Sequence, residues 1–178
     1  LSDATNIQQV QERILEEAAS AAGKLEEQAR RTIEHEFKQA RQQLEGEVFE
    51  KAIAIDSNCM VAHLYYSSFL EIVGEPDNAL NQANKAIELE PLYHIPYSMK
   101  GVIYRNEKKY EESTEAFRKS LEFNAEYWNS YLQIFFNFLD INDEASAVQT
   151  VKEIFSIRPE FLKYKKELLK YLKVFNKI

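Results

Sequence analysis

Apolar and small residues recur through most of this chain at a period of 34 residues. With His94 as the first position of a unit, aromatics fall at the fourth (Tyr97), eleventh (Tyr104) and seventeenth (Tyr110), and Gly101 falls at the eighth. Ser113 and Ser120 place small side chains on either side of Phe117. A unit starting one period upstream, at Met60, places His63, Tyr66, Ser67, Leu70, Gly74, Ala79, Ala83, Ala86 and Pro91 in the same frame. A unit starting at Trp128 places Tyr131, Ile134, Phe135, Phe138, Ala147, Val151, Ile154 and Pro159. Pro91 and Pro159 share one phase, and proline suits a boundary between units because it lacks an amide hydrogen and restricts the residue before it. The pattern predicts helix pairs from Asn58 to Val73 with Asp77 to Leu89, Leu92 to Asn106 with Tyr110 to Phe123, and Ala125 to Leu139 with Glu144 to Ser156. A final helix from Glu160 to Asn176 is expected to close the stack, with Leu162, Leu168, Leu169, Leu172 and Phe175 inside and its lysines outside.

Upstream the period changes. Ile7, Val10, Ile14, Ala18, Ala22, Leu25, Ala29, Ile33, Phe37, Ala40, Leu44 and Val48 follow one another in steps of three and four, a mean of roughly 3.7. No proline interrupts Thr5 to Ile55, and Thr5 with Gln8 fits a capping box. One long helix is predicted, running straight through the place near Lys38 to Gln43 where a hairpin would bend; a break at Gly23 or Gly46 would allow an ordinary hairpin instead. Composition also shifts near Val48: all ten tyrosines and all but one of the phenylalanines lie after it. Residues 1–47 therefore read as an amphipathic helix, a stalk or fused segment, and residues 48–178 as the repeat domain.

The recurring aromatic, Gly101, tyrosine, alanine and proline positions resemble the tetratricopeptide repeat. The resemblance implies an all-α fold: a right-handed superhelix of about three helical hairpins plus a capping helix, preceded here by the long helix. Lys100 departs from the family's leucine, and Phe135 stands where a small residue is usual, so the third hairpin is expected to be wider or a neighbour to be pushed aside. By the same resemblance, the first helices of successive units line a concave groove. Its positions here are Val61, Leu64, Ser68, Glu71 and Ile72, then Ile95, Ser98, Val102, Arg105 and Asn106, then Asn129, Leu132, Phe136, Leu139 and Asp140. Family members that clamp a terminal carboxylate use Lys, Asn and Arg at such places; only Arg105 and Asn106 match, so that clamp is not expected. An apolar groove centred on Leu64, Val102, Leu132 and Phe136 implies an apolar strand or amphipathic helix as its occupant. The sequence leaves open whether the last helix or the N-terminal helix covers those side chains instead.

Composition narrows the function classes. The 178 residues include 45% hydrophobic side chains, enough for a packed core in about one domain. The net charge of −7 argues against nucleic acid, which needs a basic surface, although the stretch from Arg158 to Ile178 is itself basic. No apolar run approaches a membrane span, and a cytoplasmic location is favoured. Cys59 is alone, so there is no disulfide framework. His35, His63 and His94 fall in different units, and no phosphate loop, metal-spaced cysteine set or nucleophile elbow occurs. Cys59 and His63, four apart, lack a third ligand or orienting acid. The reading is a non-enzymatic scaffold without cofactor or metal, whose partner is a protein or peptide. The alternative is an assembly protein that self-associates through Ile7, Val10, Ile14, Leu25, Ile33 and Phe37.

Overall fold

The computed structural model describes residues 2–160, and of residues 2–12, 14, 15 and 18 the backbone alone. Seven helices follow in order: α1 (Ser2–Ile55), α2 (Met60–Val73), α3 (Pro76–Leu89), α4 (His94–Asn106), α5 (Tyr110–Phe123), α6 (Trp128–Asp140) and α7 (Glu144–Ile157), and no strand occurs among the described residues. The expected last helix, apart from Glu160, lies outside them. The chain forms two compact units, Leu1–Glu45 and Gly46–Ile178.

α1 runs unbroken through both Gly23 and Gly46. It begins at Ser2, so the capping box at Thr5 is not its start. Pairs one turn apart support it: Arg30 and Glu27 at 2.5 Å, Arg31 and Glu27 at 2.8 Å, Arg41 and Glu45 at 2.8 Å. Such exposed pairs contribute a few tenths of a kcal/mol each. Arg30 and then Arg31 hold the Glu27 carboxyl below its usual range through hydrogen bonds.

In the second unit each hairpin turns the same way. The fifteenth position is left-handed in all three, at Gly74 (φ 87°), Lys108 (φ 59°) and Asn142 (φ 58°). The next amide donates back five residues: Glu75 to Leu70 at 2.8 Å, Lys109 to Tyr104 at 2.9 Å, Asp143 to Phe138 at 2.8 Å. That bond satisfies a carbonyl that the end of the helix would otherwise leave bare. Between units a second turn recurs, with Cys59 donating to Asp56, Tyr93 to Glu90 and Tyr127 to Asn124 at 3.1–3.2 Å. These turns use up residues expected to be helical. α2, α4 and α6 consequently start at Met60, His94 and Trp128 rather than at Asn58, Leu92 and Ala125.

The helices of a hairpin meet at the eighth, twentieth and twenty-fourth positions, and each unit fills that space differently. In the first, Ser67 donates its hydroxyl to the Ala79 carbonyl at 2.7 Å, with Ala83 beside it. The second reverses the direction: Ser113 donates to the Gly101 carbonyl at 2.7 Å. Phe117 is fully buried there, and a methyl group on Gly101 would lie 2.8 Å from its ring. In the third, Phe135 occupies the eighth position, fully buried against Leu139, Ala147 and Val151. α6 and α7 are less closely apposed than the other two pairs, in the direction expected for a ring at this position.

Candidate functional site: the face of the first helices

α2, α4 and α6 lie side by side, α2 against α4 and α4 against α6. Their shared face carries the residues expected to bind. Leu64, Ser68, Ile95, Val102, Arg105, Asn129, Leu132 and Phe136 are half-buried, while Ile72, Asn106 and Asp140 are exposed. Ser98 is an exception: at 4% exposed it sits inside the stack and is not available to a ligand. Leu132 and Phe136 also pack on the Phe135 cluster, so only part of each faces outward.

One edge of this face is laced by a polar ladder that links the twelfth position of one unit to the thirteenth of the next. Asn106 donates to Glu71, and Arg105 Nη2 donates to Asp140 at 2.6 Å. Arg105 Nη1 also donates to the Asn137 side chain, and its guanidinium lies 5.9 Å from the Tyr110 ring and 5.8 Å from the Phe136 ring. Asn137, fully buried, passes the connection to α5 by donating to Ser113 at 2.8 Å and Thr114 at 3.0 Å. Arg105 is therefore committed to joining helices rather than waiting for an anion. Asn137 had no signal in the sequence, since the corresponding residues of the other units, Phe69 and Ile103, are apolar.

Of Cys59 and His63, the imidazole is committed elsewhere. Cys59 caps the start of α2 from outside the helix. Both ring nitrogens of His63 are taken: Nε2 donates to the Ser57 carbonyl at 3.0 Å and Nδ1 meets the Gln82 side chain at 2.7 Å. His94 accepts from Asn124 at 3.3 Å and packs against Tyr127, and burial pushes its pKa below the ordinary value. Among the described residues no group of three potential metal ligands comes together, and no helix is long and apolar enough to cross a membrane.

A cleft of about 990 Å³ opens away from the expected groove, between the α4–α5 hairpin and the turn that joins α6 to α7. Tyr97, Lys100, Tyr104, Arg118, Lys119 and Phe138 line it with several glutamates. Its cations rest on aromatic rings, Lys100 over Tyr104 at 6.0 Å and Arg118 over Phe138 at 6.0 Å. Lys100, the departure from the family pattern, was its one trace in the sequence. On α1, Leu25, Ile33 and Phe37 are 65–74% exposed, while the side chains of Ile7, Val10 and Ile14 lie outside the description.

The tetratricopeptide repeat family model matches residues 96–127. An uncharacterised protein of Methanocaldococcus jannaschii is 36% identical over 69 residues, 38% of this chain and 80% of that one. ATP synthase subunit b 1 of Desulfosudis oleivorans is 57% identical over 42 residues, 24% of this chain. Anaphase-promoting complex subunit 3 of Schizosaccharomyces pombe is 28% identical over 76 residues, 43% of this chain. The matched stretches span only 21% and 11% of those last two proteins. Among solved structures, MamA from Desulfovibrio magneticus is similar with a TM-score of 0.61 at 17% identity over 68% of each chain. YrrB, described as having an unusual peptide-binding site, has a TM-score of 0.55 at 21% identity, covering 64% of this chain and 59% of that one. The first repeat domain of Spaghetti, solved with an HSP90 peptide, has a TM-score of 0.57 at 15% identity, covering 68% and 99%.

Proposed function

We propose that this chain, which belongs to the tetratricopeptide repeat family, is a non-enzymatic scaffold holding an apolar or amphipathic helical segment of another protein against α2, α4 and α6. The observation that carries this is the half-buried row Leu64, Val102, Leu132 and Phe136 beside an arginine already paired with Asp140. Apolar contact is thus on offer and free cationic charge is not. YrrB and Spaghetti, of like fold, are described with peptides. Two peptides titrated by calorimetry test the reading: an amphipathic helix with leucines at helical spacing, and an acidic peptide ending in a free carboxylate. The helical peptide is expected to bind, and Val102→Glu to weaken it at least tenfold, about 1.4 kcal/mol. Val102 is the better position because Phe136 also packs on Phe135, 5.4 Å away. Preference for the acidic peptide, or indifference to Val102→Glu, would overturn the proposal.

A second reading rests on α1, where Leu25, Ile33 and Phe37 form an exposed apolar stripe of a kind that usually finds a partner. In this reading the helix is an assembly device: Ile33→Asp with Phe37→Asp reduces the solution mass, and an unchanged mass rejects it.

A further inference from the structure

In each complete hairpin the second helix keeps its twenty-third and thirtieth positions against its own first helix. At the twenty-third, Gln82 meets His63 of α2 at 2.7 Å, and Ala116 and Thr150 are buried. At the thirtieth, Leu89, Phe123 and Ile157 are half-buried, with the Phe123 ring 5.1 Å from that of Tyr97. The last turns of α1 stand in the phase of a second helix and touch α2 through Phe49, whose ring lies 5.5 Å from those of both Tyr66 and Phe69. Yet Val48 and Ile55, at the two positions in question, are 62% and 88% exposed.

The upstream edge of α2 shows the same gap. Val61, Tyr65 and Ile72, at the second, sixth and thirteenth positions, are 48–74% exposed. Their counterparts Ile95, Met99, Asn129 and Gln133 are half-buried, and Asn106 and Asp140 are bonded to the preceding first helix. These five exposed side chains are the walls of a seat for a first-type helix, and no described residue fills it.

Two features identify the occupant. Extending the repeat phase upstream puts Ala29 and Glu36 at the fourth and eleventh positions, where complete hairpins have His63, Tyr97 or Tyr131 and Leu70, Tyr104 or Phe138. That stretch is the wrong shape and charge for the seat. Extending the phase past Pro159 starts a unit at Leu162 and puts Leu168, Leu169 and Leu172 at the seventh, eighth and eleventh positions, with Lys165 replacing the aromatic at the fourth. Charge agrees: residues 46–75 hold five acids against Lys51 alone, while residues 158–178 hold seven bases against Glu160 and Glu167. We infer that the seat receives the Leu162–Phe175 segment of a second copy of this chain. The copies then add head to tail through unlike surfaces, a contact that extends rather than closes unless its rotation happens to form a ring.

Light scattering of the whole chain across a concentration series tests this independently of the groove. The mass is expected to rise progressively beyond a dimer and to fall in about 0.5 M salt, which screens the opposed charges. Ile55→Asp in the seat and the pair Lys166→Glu with Lys170→Glu in the tail each return the chain to lower mass with unchanged helical circular dichroism. Mixing the two variants restores one-to-one pairs and nothing larger, because one intact seat and one intact tail remain between them. A constant monomer mass overturns the inference. So does an oligomer that survives both variants and yields only to Phe37→Asp.

Discussion

At the scale of single residues, the repeat is one geometry filled with different chemistry. Gly101 and Phe117 are fitted to each other, so Gly101→Ala must displace a fully buried ring. The expected loss is about 1–3 kcal/mol by chemical denaturation, the usual cost of overpacking a core. Lys108 holds a left-handed conformation that glycine adopts in the first hairpin and asparagine in the third. Its side chain is exposed, so Lys108→Gly is expected to raise stability by up to about 1 kcal/mol, the relieved strain exceeding glycine's entropy cost. An unchanged denaturation midpoint would mean that the turn bond from Lys109 to Tyr104 dominates at this site.

Among the elements, the junctions matter most. The start of α4 meets the turn between α5 and α6 where His94 packs on Tyr127 and accepts from Asn124. Burial lowers the folded pKa of His94, so the unfolded chain binds a proton more readily than the folded one. Stability is therefore full above the unfolded value of about 6.5 and falls as pH drops through it. Thermal melts between pH 7.5 and 5.5 are expected to show this decline, and His94→Gln to reduce it. A stability that rises as pH falls would contradict the assignment. The junctions also account for where the expected helix starts went astray. Asn58, Leu92 and Ala125 carry no helix-breaking chemistry, and only the shared turn from Asp56, Glu90 and Asn124 shows that the chain has not yet entered the helix.

For the whole molecule, what could be read in advance depended on whether a role falls at a fixed position. Ser67, Gly101 and Phe135 lie at one phase, and their hairpins follow from that phase. The ladder from Glu71 to Asn106 and from Arg105 to Asp140 also has a regular spacing, but its residue types change from rung to rung, so nothing in the pattern announces it. Ser98 shows the converse failure: a position assigned to the groove by phase is buried.

Hydrogen exchange on the whole chain, with and without the amphipathic helical peptide, shows whether the partner lies across α2, α4 and α6. New protection is expected around Leu64, Val102 and Leu132. Protection instead around Lys100, Tyr104 and Phe138, in the cleft away from the expected groove, would contradict it and move the binding site there.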